Sequence, residues 1–214
     1  MIRRAFTLRL ERGALPQYRE YHDNIWPDLV EEIEGCGIGT MSAFITDPTV
    51  FYYSEIRDPE AWGRLWSTPT HDRWGELMKP LIGFTDEGKV DAHDLTEIFR
   101  LENSAPSTPF RLAYSLRLDP GALPRYRSQH DEIWPDLVKE MNRCGIARLT
   151  AFEAEPMVYY YADLVQEDAF DRLFESEVHD RWAETFQGLI AFTAEGRADV
   201  QFMKEIFHLE TGAA

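Results

Sequence analysis

Phe6, Leu8 and Leu10 alternate with Thr7 and Arg9, the two-residue period of a strand with one buried face. From Ala14 the period lengthens. Leu15, Tyr18, His22, Ile25, Trp26, Leu29 and Ile33 recur at helical spacing, so a helix is expected there. Pro27 lies inside that run; it has no N–H to donate and crowds the preceding turn, so the helix should kink or break at this point. Cys36-Gly37 reads as its end. Ala43-Phe44-Ile45 and Val50 to Ile56 flank Thr46-Asp47-Pro48, the pattern of two strands around a turn. Asp58 to Trp66 and Thr70 to Leu81 return to helical spacing, and Leu95 to Leu101 reads as a closing strand. The predicted order is βαββαβ, a ferredoxin-like module.

The whole pattern then repeats. Residues 3–102 lie over 111–210 at constant offset without a gap, and about half of the paired positions are identical. GALPxYR at 13–19 returns at 121–127, HDxIWPDLV at 22–30 returns at 130–138, and HDRW at 71–74 returns at 179–182. A stacked solenoid of such units would need at least about three copies. Two copies instead suggest a fused dimer, in which the second stands in for a partner subunit. The expected organisation is a first module at 1–102, a linker at 103–109 rich in Ser, Thr and Pro, and a second module at 110–214. Each predicted sheet has one face for its own helices. The other face is left for the second copy, which predicts an α+β fold closed as an intramolecular dimeric barrel, with further oligomerisation left open.

Composition narrows the partners. With Lys and Arg at 22 against Asp and Glu at 38, the net charge of −16 repels a phosphate backbone or an anionic membrane surface. Neither nucleic acid nor membrane is therefore expected as a partner, while a small uncharged ligand is unaffected. No stretch approaches the ~20 apolar residues of a membrane span. The first residues carry charges every few positions, unlike the apolar core of a signal peptide, so a cytoplasmic protein is expected. Cys36 and Cys144 occupy matching Cys-Gly-Ile segments and read as small buried hydrophobes rather than as a redox pair.

Candidate chemistry gathers on the first helix. Tyr18, His22 and Trp26 are spaced i, i+4, i+8 along one side, where a plain core would carry Leu or Ile, and Tyr126, His130 and Trp134 repeat them. These groups need hydrogen-bond partners if buried. One reading is an aromatic core whose polar tips bond to the backbone. The other is a pocket wall with an acid–base group between stacking surfaces. His71 and Trp74, with His179 and Trp182 in the second copy, stand where they could close the far side of that pocket. Arg73 beside Asp72 reads as a solvated surface pair. No HxH, HExxH or CxxC spacing accompanies the histidines, so no metal is expected. There is no glycine-rich phosphate loop after a strand and no G-x-S-x-G elbow. These absences leave His22 and His130 as the leading chemical groups.

The segments that carry this chemistry resemble the L-rhamnose mutarotase family. Met-Ile-Arg-Arg-Ala-Phe at the start, Tyr18 and His22 before Ile25-Trp26-Pro27-Asp28-Leu29, Ser67-Thr68 ahead of Arg73-Trp74, and Glu97-Ile98-Phe99 near the end of the first copy match its pattern, and each copy matches nearly throughout. The resemblance implies ferredoxin-like modules that pair as dimers and exchange the α and β anomers of L-rhamnose without a cofactor. It places the proton-donating histidine at His22 and His130, the sugar-binding tyrosine at Tyr18 and Tyr126, and the first of a tryptophan pair at Trp74 and Trp182. Four positions depart from the family pattern. The second tryptophan of the pair is Gly75, or Ala183 in the other copy, and a sugar-contacting tyrosine on the second strand is Met41, or Leu149. His71 and His179 are additions. A site that loses hydroxyl and stacking partners discriminates less among sugars.

The expected activity is thus a carbohydrate isomerase: a cofactor-independent mutarotase acting on L-rhamnose or a related free monosaccharide by histidine acid–base catalysis. Two alternatives keep the same fold. One is a cyclase-like or cofactor-free enzyme acting on an aromatic polyketide in a roomier pocket. The other is a small-molecule binding protein without catalysis. The Tyr–His–Trp set occurs twice, so two working sites are expected.

Overall fold

β1 (Ile2–Arg9) carries Phe6 and Leu8 to the side where the helices pack, as its alternation predicts. Its other face is not solvated. Arg3 and Thr7 are buried there, and the Arg3 Nε–H donates to the Tyr53 hydroxyl at 3.1 Å, so a buried charge is held by a polar partner. The structure, a computed structural model, describes residues 1–103, 106 and 108–212. Of the linker expected at 103–109, residues 104, 105 and 107 lie outside the described residues, as do 213 and 214 at the end of the second copy.

The chain forms two compact units. Unit 1 comprises Met1–Leu95 and the chain from Lys204 onward; unit 2 is Thr96–Met203. In unit 1, β1 is followed by α1 (Leu15–Asp23), α2 (Pro27–Gly35), β2 (Ile38–Thr46), β3 (Thr49–Ile56), α3 (Ala61–Trp66), α4 (Pro69–Met78) and β4 (Ala92–Asp94). Unit 2 begins with β5 (Thr96–Glu102) and continues through β6 (Phe110–Arg117), α5 (Leu123–Asp131), α6 (Pro135–Cys144), β7 (Ile146–Ala154), β8 (Met157–Leu164), α7 (Ala169–Phe174) and α8 (Glu177–Glu184). β9 (Val200–Glu210) starts in unit 2 and ends in unit 1. All strand pairs are antiparallel, and the class is α+β with ferredoxin-like order. Among the described residues no helix is long and apolar enough to cross a membrane.

The break expected at Pro27 is present, and two other details differ from the sequence expectation. Each module's first helix is two helices. Asn24 closes α1 by donating to the Glu20 and Tyr21 carbonyls, and Pro27 opens α2, where its missing N–H costs nothing. α4 stops at Met78, short of Leu81, since Pro80 cannot continue it. A short extra strand, β4, precedes β5 and pairs with β1. Gly37 (φ +86°) and Gly145 (φ +92°) follow α2 and α6 in the left-handed conformation that glycine adopts without strain. Cys36 and Cys144 are free and buried.

The closing strands do not stay with their own sequence copies. β5, the last strand of the first copy, pairs with β7 in unit 2 (Leu101 opposite Leu149). The end of β9, the last strand of the second copy, pairs with β2 in unit 1 (Phe207 opposite Ala43). Each core is therefore completed by residues of the other copy. Ile206 and Phe207 join Leu29, Ile33 and Tyr52 in unit 1; Phe99 and Leu101 join Leu137 and Tyr160 in unit 2.

Candidate active site

α1 places Tyr18 and His22 one turn apart on its buried face, with the imidazole over the phenol ring at 4.3 Å. His22 Nδ1 lies 2.9 Å from the main-chain oxygen of Tyr18. A carbonyl only accepts, so Nδ1 carries the hydrogen and Nε2 of the neutral ring must accept. Its partner is the Tyr52 hydroxyl on β3, at 3.0 Å. With the Tyr52 proton directed at His22, the Tyr52 oxygen accepts in turn from the Tyr18 hydroxyl, to which it is closely bonded. The hydrogen bonds thus all run one way: Tyr18 to Tyr52 to His22. Unit 2 repeats the arrangement, with His130 Nδ1 at 2.9 Å from the Tyr126 carbonyl oxygen and Nε2 at 2.8 Å from the Tyr160 hydroxyl.

Burial sets the protonation of this group. It pushes the His22 imidazole below its ordinary range, opposed in part by the Tyr18 carbonyl and by Asp23. It pushes the Tyr18 and Tyr52 hydroxyls upward, so the set is neutral around pH 7. His130 is lowered by burial in the same way, and half-buried His71 and His179 likewise. Histidines with depressed folded-state pKa values stabilise the fold fully above the unfolded value of about 6.5, and that contribution is lost as pH falls through their folded values. We therefore expect the urea midpoint to fall between pH 7.5 and pH 5. The fall should shrink in the His22→Gln/His130→Gln double variant. Equal or greater stability at pH 5 would rule out neutral buried imidazoles.

A cavity of about 540 Å³ opens above the set in unit 1, and Tyr18, His22, Tyr52, Met41, His71 and Trp74 are among the residues lining it. Trp74 stands edge-on to the His22 imidazole at 5.4 Å, and Phe207 of β9 stands edge-on to it at 5.1 Å. Phe6 stacks on Tyr52 at 4.7 Å and fixes that ring. Gly75 is among the lining residues, and a Cβ added there would meet nothing within 4 Å. Arg4 is paired with Asp94 at 2.7 Å, with its guanidinium 4.9 Å over the Trp66 ring.

Most of the residues singled out from sequence meet here. Tyr18, His22, His71 and Trp74 line the cavity. Trp26 does not. The break before Pro27 takes it off the α1 stripe, and it packs edge-on against Trp74 at 5.3 Å, beneath Arg73. Arg73 pairs with Asp28 at 2.7 Å rather than with its neighbour Asp72. In unit 2, Tyr126 and His130 are buried, Trp182 stands edge-on to His130 at 6.4 Å, and Trp134 packs edge-on against Trp182 at 5.2 Å. Among the described residues His179 Nδ1 is buried with no hydrogen-bond partner, and its ring lies 4.9 Å from Phe174.

Two contributors escaped the sequence reading. Tyr52 lies in a run of strand residues where any aromatic fits, although the Tyr-Tyr pair at 52–53 does return at 160–161. Phe207 is far away in sequence, and no spacing connects it to His22.

A sequence profile described as L-rhamnose mutarotase matches residues 3–101 and again 111–209. An L-rhamnose mutarotase of Bacillus subtilis is 32% identical over 104 residues, covering 48% of this chain and 100% of that protein. One from Oceanobacillus iheyensis is 30% identical over 104 residues, with the same coverage of 48% and 100%. Among solved structures, a protein described as a monooxygenase from Fusobacterium nucleatum superposes over 98% of this chain and 94% of its own, with a TM-score of 0.64 at 10% identity. That likeness is one of fold.

Proposed function

The chain belongs to the L-rhamnose mutarotase family, and on that premise we propose that it exchanges the α and β anomers of L-rhamnose or a related free monosaccharide, with His22 as the proton store. The observation that carries this reading is the one-way hydrogen-bond line from Tyr18 through Tyr52 to Nε2 of His22, beneath a cavity walled by Trp74.

Anomer exchange must remove the proton from O1, break C1–O5, and give O5 a proton. The Tyr18 oxygen has a lone pair left for the anomeric O1–H. As that proton reaches Tyr18, the Tyr18 proton passes to Tyr52 and the Tyr52 proton to Nε2. C1=O1 forms, and the C1–O5 electron pair leaves on O5. Tyr18 then gives O5 the proton it has just taken, and the line runs back to its starting state. The aldehyde turns about C1–C2, and O5 re-adds to either face by the same steps in reverse. No proton is gained or lost overall. A histidine with a lowered pKa suits this use, because it returns the proton readily. Neither tyrosine needs to exist as a free phenolate. Trp74 offers an apolar ring face to the sugar's C–H groups. Met41 and the space at Gly75 leave room for sugars other than L-rhamnose.

The test is saturation-transfer NMR between the two anomeric protons, run on L-rhamnose and a panel of hexoses and deoxyhexoses. Exchange faster than in buffer is expected for at least one sugar; its absence across the panel with folded protein would defeat the proposal. Tyr52→Phe is expected to slow exchange at least about tenfold, because it interrupts the line while sparing the stacking of Phe6. It also leaves Nε2 and the Tyr18 hydroxyl unpartnered, at a stability cost of about 1–3 kcal/mol. An unchanged rate in Tyr52→Phe would take Tyr52 out of the proton path.

A further inference from the structure

We propose that the two copies have diverged, with the working site in unit 1 and the matching space in unit 2 filled by Phe186. The activity part of this inference rests on the mutarotase reading; the filling does not.

The Tyr–His–Tyr hydrogen bonds are the same in both units, so the difference lies in the space above them. In unit 1 that space is bounded by Met78, at the end of α4, which lines the cavity. The matching residue of the second copy is Phe186. Its ring stands edge-on to three others: Tyr126 at 5.2 Å, His130 at 5.5 Å and Trp182 at 5.4 Å. The equivalents of those three rings in unit 1, Tyr18, His22 and Trp74, line the cavity. Phe186 is 8% exposed and wedged among the groups that a sugar would have to touch. A thioether chain can swing aside, whereas a phenyl ring held by three neighbours cannot do so without leaving its packing.

The rim points the same way. In unit 1, Trp66 lines the cavity and the Arg4–Asp94 pair lies over its ring, so charged donors and acceptors stand next to the lining. At the matching positions the second copy carries Leu112, Phe202 and Phe174. The Phe202 ring lies 5.8 Å from Tyr114, which stacks on Tyr160 at 4.6 Å. An apolar rim gives a sugar's hydroxyl groups no replacement for water. The buried set in unit 2 remains for a structural reason, since losing one member would strand the polar atoms of the others.

Two measurements test this. The first is sugar exchange. His22→Gln should remove all but about a hundredth of the wild-type rate, and adding Phe186→Met to that chain should raise the remainder at least several-fold. Two equivalent sites would instead leave about half of the rate in His22→Gln, and that result overturns the proposal. The second needs no sugar activity and decides the filling even if no sugar is turned over. Dissolved xenon enters apolar cavities. In the wild-type chain it should shift the indole N–H signal of Trp74 and leave that of Trp182 in place. In Phe186→Ala it should shift both. Equal shifts in the wild-type chain would overturn the proposal. If Phe186→Met fails to restore exchange although Phe186→Ala lets xenon reach Trp182, Phe186 is not the block to activity.

Discussion

His22→Gln is expected to slow anomer exchange by about 10²–10⁴-fold while leaving the fold intact. The glutamine side-chain oxygen can accept the Tyr52 hydroxyl as Nε2 does, so the buried polar set stays partnered. An amide does not take up a proton near neutrality, however, and the line then has nowhere to store the O1 proton. The pH profile separates this from a packing effect. In the wild-type chain the rate should fall on acidification only below the ordinary histidine pKa of about 6.5, because burial lowers that of His22. In the variant that limb should disappear from the residual rate. A His22→Gln/His130→Gln double variant within about threefold of the wild-type rate would show that the imidazole is not the proton store, since general acid–base help is worth far more than that.

The second large effect is structural. Phe207→Ala is expected to destabilise unit 1 by about 3–5 kcal/mol, the usual loss for a buried phenylalanine. Phe207 is 8% exposed, pairs with Ala43 across the β2–β9 ladder, and packs edge-on against His22. It belongs to the second sequence copy, yet its loss should be felt in the first. Amide hydrogen exchange reads this directly: protection should fall on β2, around Ala43, in Phe207→Ala, and on β7, around Ala151, in Phe99→Ala. The reverse assignment would falsify the exchange of closing strands. Because Phe207 also borders His22, the variant should lose sugar exchange beyond what its unfolded fraction explains.

Much of the molecule was legible from spacing. The repeat, the strand–helix order, the break at Pro27 and the meeting of Tyr18 with His22 all depend on residues within a few positions of each other, where backbone geometry sets side-chain direction. The same rule misled at Trp26, because a stripe at i+8 needs an unbroken helix and Pro27 removes it. It was silent on Tyr52, whose hydroxyl meets His22 from another element.

The sequence by itself determined that two like modules exist and that each carries a tyrosine and a histidine one turn apart on its first helix. It could do so because these are properties of local period and of residue identity. Only the tertiary structure decided that the closing strand of each copy completes the other's core, that Tyr52 turns two side chains into a directed line of hydrogen bonds, and that Phe186 sits among rings whose counterparts in unit 1 line a cavity. Those outcomes are set by contacts between residues far apart in the chain. Strand pairing and ring packing are chosen by what the neighbouring elements leave unfilled, and no spacing along the chain records it.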